Sequence, residues 1–160
     1  MEKNSTFEDL MILGKNLDFY FRYNNMNIQE FSFFINYNRN SLSRLLAGEE
    51  NIQYHTLLKI AKNLNFSLET LFSRNFINYL KENKRDYEKL PLYNENINYL
   101  EIFSKNVYSS LKNNNMTQFN IGIDPATTNR ILKMKNSNPC IKSLCSIAYD
   151  VGKNLYELFS

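Results

Sequence analysis

The 160-residue sequence has few of the residues that form tight turns: four glycines and three prolines, with no tryptophan. Sandwiches and barrels need many such turns, so this scarcity favours an all-α fold. No run approaches the roughly 18 uninterrupted apolar residues that a membrane-spanning helix needs. The stretch Met1 to Thr6 places no apolar segment behind basic residues, so we expect no signal peptide, no membrane contact and a cytoplasmic location.

The residue types that build metal and catalytic sites are also rare. The two cysteines, Cys140 and Cys145, are five positions apart, which is not a zinc-ligand spacing, and no second pair accompanies them. The single histidine, His55, has no acid or cysteine partner in a recognisable motif. Because phosphate-binding glycine loops and nucleophile motifs are missing too, we expect a protein that is not an enzyme and uses no metal or other cofactor.

The positive charge lies in the C-terminal part of the chain. The net charge is +3, and residues 1–75 and 76–97 are each balanced, whereas residues 98–160 hold seven basic and four acidic residues. Four of the basic residues form a local run: Arg130, Lys133, Lys135 and Lys142. Such a run is a candidate phosphate-binding surface in a suitable structural setting.

An internal repeat provides a setting for this charge. Residues 57–72 and 144–159 share their pattern of Leu, Ile-Ala and a final Leu-Phe at an offset of 87 positions. Residues 40–46 match residues 126–132 at an offset of 86. This period is too long for a solenoid repeat. The sequence therefore predicts two related small domains in tandem, with these boundaries: residues 1–75, a linker or extended helix at 76–97, and residues 98–160.

Helical spacing and capping residues divide the first half into five short helices. Asn27 is predicted to cap a helix over residues 28–35, and Asn38 a helix over 39–46 that Gly48 closes. Another helix is predicted to begin at the capping box Ser5–Glu8. The remaining two are predicted to span residues 51–63 and 68–76.

Short motifs of the first half occur in a characteristic order without a gap. They are Leu13-Gly14, Gln29-Glu30-Phe31, Asn38–Leu45, Leu57–Leu64 and Leu71-Phe72. This order resembles the lambda-repressor-like, Cro/C1 (XRE-type) helix-turn-helix family. The second half resembles the same family from Phe103 to Phe159, most strongly at residues 122–131. The resemblance implies an all-α protein with two five-helix helix-turn-helix domains in tandem.

The resemblance also implies binding of double-stranded DNA, with the third helix of each domain in the major groove. The DNA-binding residues that it implies in the first domain are Gln29, Asn38, Arg39, Asn40, Ser43 and Arg44. Those that it implies in the second domain are Gln118, Thr127, Asn129, Arg130 and Lys133. Arginine can bind guanine through two hydrogen bonds, asparagine can bind adenine in the same way, and glutamine at a helix start can bind phosphate.

Two features depart from the family pattern. Met116 and Gly122 are six positions apart where Met26 and Asn36 are ten apart, so the second helix of the second domain is predicted to be shortened, which leaves DNA contact by that domain open. Aromatic residues also occupy positions expected to be polar. They are Phe19, Tyr23, Phe33 and Phe34. Either the core packs differently there, or Phe33 and Phe34 form a protein interface.

Two functions are consistent with these features. The first is a transcriptional repressor of bacterial or phage and mobile-element type, which acts as a homodimer on an inverted-repeat operator. The alternative is a bifunctional protein. In that hypothesis the N-terminal domain represses its own gene, and the C-terminal domain binds and inhibits a partner protein, a layout similar to that of some anti-CRISPR proteins or of an antitoxin.

Overall fold

The structure is a computed structural model, and it describes residues 7–83 and 90–160. Within these two ranges it contains ten α-helices, one 3₁₀ helix and a single isolated β-bridge, so the described part of the chain is all-helical as predicted. In the same ranges, none of the helices combines the length and the apolar character that crossing a bilayer requires.

The N-terminal half contains six helices. They are α1 (Glu8–Tyr23), α2 (Ile28–Phe34), α3 (Arg39–Leu46), α4 (Tyr54–Leu64), α5 (Leu68–Leu71) and α6 (Phe76–Asn83). The predicted caps of α2 and α3 are confirmed. Asn27 accepts a hydrogen bond from the backbone N–H of Glu30 and donates its own to the Glu30 carboxylate, which is a complete capping box. Asn38 caps α3 through its side-chain oxygen.

The C-terminal half contains α7 (Tyr99–Asn113), the 3₁₀ helix Gln118–Asn120, α8 (Pro125–Leu132), α9 (Ile141–Asp150) and α10 (Leu155–Leu158). Where the sequence predicts a shortened helix, the structure has only the three residues of the 3₁₀ helix, against seven in α2. The loop that follows is held by a hydrogen bond of 2.7 Å from the Gly122 N–H to the Asp150 carboxylate.

Three predicted helix boundaries are wrong. α1 begins at Glu8 with Phe7 as its N-cap and no side-chain cap, and Ser5 lies outside the described residues. α4 begins at Tyr54 because the segment before it pairs with the C-terminal half. The predicted helix 68–76 is interrupted between α5 and α6, since the Asn16 amide binds two carbonyl groups there.

The two halves share one continuous core rather than packing as separate bodies. At its centre the ring of Phe159 packs against Phe72 and Phe103, with centroid distances of 6.0 and 5.4 Å. Phe76 and Leu80 of α6 are buried in this core, so the first part of the predicted linker contributes to the fold. Residues 84–89 of that linker lie outside the described residues.

Backbone hydrogen bonds connect the halves next to the starts of α4 and α9. The Tyr54 N–H donates to the Pro139 carbonyl and the Ile141 N–H donates to the Ile52 carbonyl, each at 2.8 Å. The isolated antiparallel bridge lies between them and joins Gln53 to Cys140. The Cys140 position therefore belongs to a contact between the halves.

Two asparagine side chains extend this connection by capping the backbone of the opposite half. The Asn138 side-chain oxygen accepts a bond from the His55 N–H at 2.8 Å. The Asn51 oxygen accepts one from the Lys142 N–H at 3.1 Å. These bonds satisfy donors at the first turns of α4 and α9, which have no acceptor within their own helices.

Candidate DNA-binding surface

Helix α3 is fixed by its cap and by its buried face. The Asn38 side-chain oxygen accepts hydrogen bonds from the backbone N–H groups of Asn40 (2.9 Å) and Ser41 (3.2 Å). Leu42 and Leu45 are fully buried. The opposite face is therefore exposed, and it carries the four predicted residues of this helix: Arg39, Asn40, Ser43 and Arg44.

A close helix crossing sets the position of α3. A Cβ atom at Gly14 of α1 would lie 2.6 Å from the carbonyl oxygen of Leu46 and 2.7 Å from that of Leu45. No side chain fits in this space, so glycine lets α1 contact the last turn of α3 directly. In the sequence the Leu13-Gly14 pair is one of the family-like motifs, and this close crossing is the physical reason for its glycine.

The first turns of α2 and α3 are joined by two of the predicted site residues. Arg39 Nη1 donates a hydrogen bond of 3.2 Å to Gln29 Oε1, and both side chains are exposed. A guanidinium group has five N–H donors, so this bond orients Arg39 and leaves donors for another partner. The arrangement can present a planar donor group to an acceptor pair such as guanine O6 and N7.

Arg44 has a different environment from Arg39. Its Nε lies 3.3 Å from a carboxylate oxygen of Glu50, in the loop after α3, while 64% of the Arg44 side chain stays exposed. Burial raises the pKa of the nearby Tyr37, and the Glu50 charge adds to this rise. The Glu50 side chain is only 20% exposed, so the pair is half-buried, and the Arg44 guanidinium keeps exposed donors that can bind a phosphate.

Helix α8 occupies the corresponding position in the C-terminal half, but its first turn is chemically different. Asp124 caps it by accepting hydrogen bonds from the backbone N–H and the hydroxyl of Thr127, at 3.0 and 3.1 Å. The first helical residue is Pro125. The Thr127 hydroxyl, a predicted DNA contact, is thus bonded to a carboxylate.

Residues 16–76 match the family model of the Cro/C1-type HTH DNA-binding domain. The matched segment contains all of α2 and α3 and the Gln29–Arg39 bond. No curated protein and no solved structure matches the sequence.

Outside the HTH domain, the other predicted residues differ in exposure. Thr127, Arg130 and Lys133 are exposed, whereas Gln118 and Asn129 are half-buried. One cation of the predicted basic run contacts an aromatic ring. The Lys142 Nζ lies over the ring of Phe7, 5.4 Å from its centroid.

Of the four aromatic residues that depart from the family pattern in the HTH domain, only two form an exposed patch. Phe33 and Phe34 of α2 are 74% and 46% exposed, so they are not part of a rearranged core. Phe19 is half-buried and stacks on Tyr23 at 5.5 Å, with the Lys81 Nζ 5.6 Å from its centroid. The patch therefore consists of Phe33 and Phe34.

Sequence reasoning missed a third exposed phenylalanine among the described residues. Phe119, in the 3₁₀ helix, is 74% exposed. Its position one residue after Gln118 in a shortened helix was the available signal, since a helix of one turn cannot bury all of its side chains. Among the described residues, no three His, Cys, Asp or Glu side chains come together as potential metal ligands.

Proposed function

We propose that this protein is a sequence-specific DNA-binding transcriptional repressor of bacterial or phage and mobile-element type. It acts in the cytoplasm without catalysis and without a metal or other cofactor. The observation that carries the proposal is the exposed first turn of α3, where Arg39 and Asn40 project from a matched HTH domain.

The mechanism places α3 in the major groove. Arg39, oriented by Gln29, binds the O6 and N7 atoms of a guanine, and Asn40 binds the N6 and N7 atoms of an adenine. Ser43, one turn further along the exposed face, contributes a contact to a base or to the backbone. Bound across a promoter, the protein would block transcription by occupying the DNA.

The family resemblance implies a homodimer on an inverted repeat, since one HTH unit covers one half-site. Phe33 and Phe34 are the surface that we propose for contact between chains, because two exposed rings on α2 lose unfavourable hydration when a second protein covers them. Substituting both with serine should weaken any contact between chains and leave the DNA motif unchanged.

The proposal is tested by selecting bound sequences from a random double-stranded DNA library with the full chain. Arg39→Ala and Asn40→Ala should each relax the selected motif at one position and weaken binding by about 1–3 kcal/mol. Lys105→Ala is the matched control, because Lys105 is an exposed cation on α7 that pairs with Glu101. If no motif is enriched, or if the Arg39 and Asn40 variants select the wild-type motif with wild-type affinity, the proposal is wrong.

A second function is favoured by one observation, the exposed Phe119 beside α8. In this version the N-terminal domain represses its own gene, and the C-terminal half binds and inhibits a partner protein, as in an anti-CRISPR-like or antitoxin-like protein. Phe119→Ala should then reduce recovery of one specific protein from a bacterial lysate, whereas Arg39→Ala should not. Equal recovery by both variants and the wild type would count against this version.

A further inference from the structure

The bonds at the junction between the halves are reciprocal. The Tyr54–Pro139 bond and the Ile141–Ile52 bond exchange the roles of the two halves, and their donors are 87 positions apart. Gln53 and Cys140, which pair with each other in the bridge, are also 87 positions apart. A residue can pair with its own counterpart only at a two-fold axis, so a local two-fold rotation through this bridge relates the halves.

A contact away from the bridge agrees with the same rotation. Phe72 and Phe159 are 87 positions apart, and their rings stack on each other. The halves also share a contact within each of them, since the side-chain amides of Asn16 and Asn106 bind carbonyl groups at the end of α5 and α10 respectively.

It follows that α3 and α8 occupy corresponding places on either side of the axis. α3 ends seven residues before the bridge and α8 ends eight residues before it. Homodimeric HTH proteins obtain such a pair of helices from two chains. In this protein, one chain supplies both.

The first turns of these two helices differ in what they offer a base. α3 begins with Arg39 and Asn40 behind an uncharged cap. α8 begins with Pro125 and Ala126, whose side chains form no hydrogen bond, behind the carboxylate of Asp124. A carboxylate at this position repels the phosphates that border the groove, so the capacity to read bases is concentrated in α3.

The loops that follow α3 and α8 also differ in charge, and here the loop after α8 is the more positive one. Glu49 and Asn136 correspond, since each backbone N–H donates at 2.9 Å to the carbonyl of Arg44 or Arg130 respectively. The next residue is Glu50 in the first half and a serine in the second. The loop after α3 thus carries two carboxylates, and the loop after α8 carries none.

Two lysines extend this difference. Lys133 stands where the first half has an alanine, and Lys135 is an additional residue of the second loop. Both are exposed, as is Arg130. In the part of the chain that the structure describes, no carboxylate lies within 4.0 Å of these three cations, whereas Arg44 is paired with Glu50. They are therefore available to an external anion.

We propose that one chain binds one DNA site with divided roles. The α3 side reads bases, and the α8 side binds the phosphate backbone of the adjoining DNA through Arg130, Lys133 and Lys135, whatever its sequence. The operator is then asymmetric, with one specified half-site and one flank of free sequence. This inference rests on the DNA binding proposed above, and it replaces the homodimer on an inverted repeat, which the family resemblance implies, with a single chain on one site.

The test uses the full chain and duplexes that carry the selected half-site, with or without a flank of about one helical turn on the α8 side. We expect one chain per duplex by native mass spectrometry. We also expect that removing the flank weakens binding and that scrambling its sequence does not.

Charge substitutions separate the phosphate contacts from base reading. The double variant Lys133→Gln, Lys135→Gln should weaken the salt dependence. The negative slope of the logarithm of the association constant against the logarithm of the salt concentration should become shallower by about two units, and the selected motif should stay unchanged. The same double change at Lys105 and Lys112 of α7 is the control, since it removes equal charge from exposed positions, and its slope should equal that of the wild type.

Each outcome has a definite meaning. Two chains on an inverted repeat, a flank whose sequence is specified, or an unchanged salt slope in the Lys133 and Lys135 variant would overturn the divided-role inference while DNA binding stands. If no motif is selected at all, the proposed function fails, and this inference fails with it.

Discussion

Asp9 is a buried carboxylate that lies between the two halves. It is 6% exposed, and it accepts a hydrogen bond of 2.9 Å from the Leu155 N–H at the start of α10. The Arg74 guanidinium lies 3.7 Å away on the other side. Burial raises the pKa of Asp9, and the Leu155 N–H and Arg74 offset only part of this rise.

The raised pKa predicts a specific pH dependence. Since the folded pKa lies above the ordinary 3.8, the folded protein keeps a proton that the unfolded chain releases. The free energy of unfolding should therefore fall as pH rises from about 4 through the folded pKa of Asp9. In Asp9→Asn this fall should be smaller, as measured by urea unfolding across that pH range.

The control for this prediction is Asp18→Asn on the same helix, where the aspartate pairs with Arg22 at the surface. Its pH dependence should resemble that of the wild type. Equal slopes in the Asp9 variant and the wild type would show that Asp9 does not set the pH dependence.

At the element scale, each short helix is anchored by an asparagine from a long helix. Asn16 of α1 binds the carbonyl groups of Leu71 and Ser73, both at 2.9 Å, just after α5. Asn106 of α7 binds those of Leu158 and Ser160, at 2.9 and 3.2 Å. These bonds satisfy helix-end carbonyl groups that would otherwise lack donors.

Removing the anchors should destabilise the protein unequally. Asn16→Ala should cost about 1–3 kcal/mol because buried carbonyl groups lose their donors. Asn106→Ala should cost less, since Asn106 is half-buried and water can replace its amide. Urea unfolding measures both, with Asn78→Ala on the exposed side of α6 as the control. Equal losses for the two anchors would contradict this explanation.

The same elements show what could be predicted from the sequence. The caps at Asn27 and Asn38 were predictable because the groups involved lie within three residues of each other. The end of α5 was not, since it depends on Asn16, which is more than 50 residues earlier in the chain. The start of α4 likewise depends on Pro139 in the other half.

The candidate site follows the same rule. The exposure of Arg39 and Asn40 was predictable from a local motif on one helix face. The Arg44–Glu50 ion pair and the contact of Lys142 with Phe7 were not, because they depend on a loop conformation and on a ring far away in the sequence. Local chemistry could be predicted, and contacts between elements could not.

At the scale of the whole molecule, the shared core predicts one cooperative unfolding transition. Phe159 contacts Phe72 of one half and Phe103 of the other, so Phe159→Ala should cost about 3–5 kcal/mol. Amide hydrogen exchange should speed up in both halves together, and calorimetry should show a single peak.

Phe119→Ala is the matched control, because the Phe119 ring is largely exposed and its loss leaves no cavity. Its stability should stay within about 0.5 kcal/mol of the wild type. Two separate calorimetric peaks, of which only one moves in Phe159→Ala, would mean that the halves unfold independently.

The two halves belong to one polypeptide chain, and this has a consequence for gene dosage. A regulator assembled from two chains must first form its dimer, so its occupancy of DNA rises more steeply than in proportion to the amount of protein at low expression. If one chain binds one site, as we propose, both halves already flank the Gln53–Cys140 bridge and no assembly step precedes DNA binding. The response to expression level should then be graded from the first molecules made, and a single copy per cell would already be in its active form.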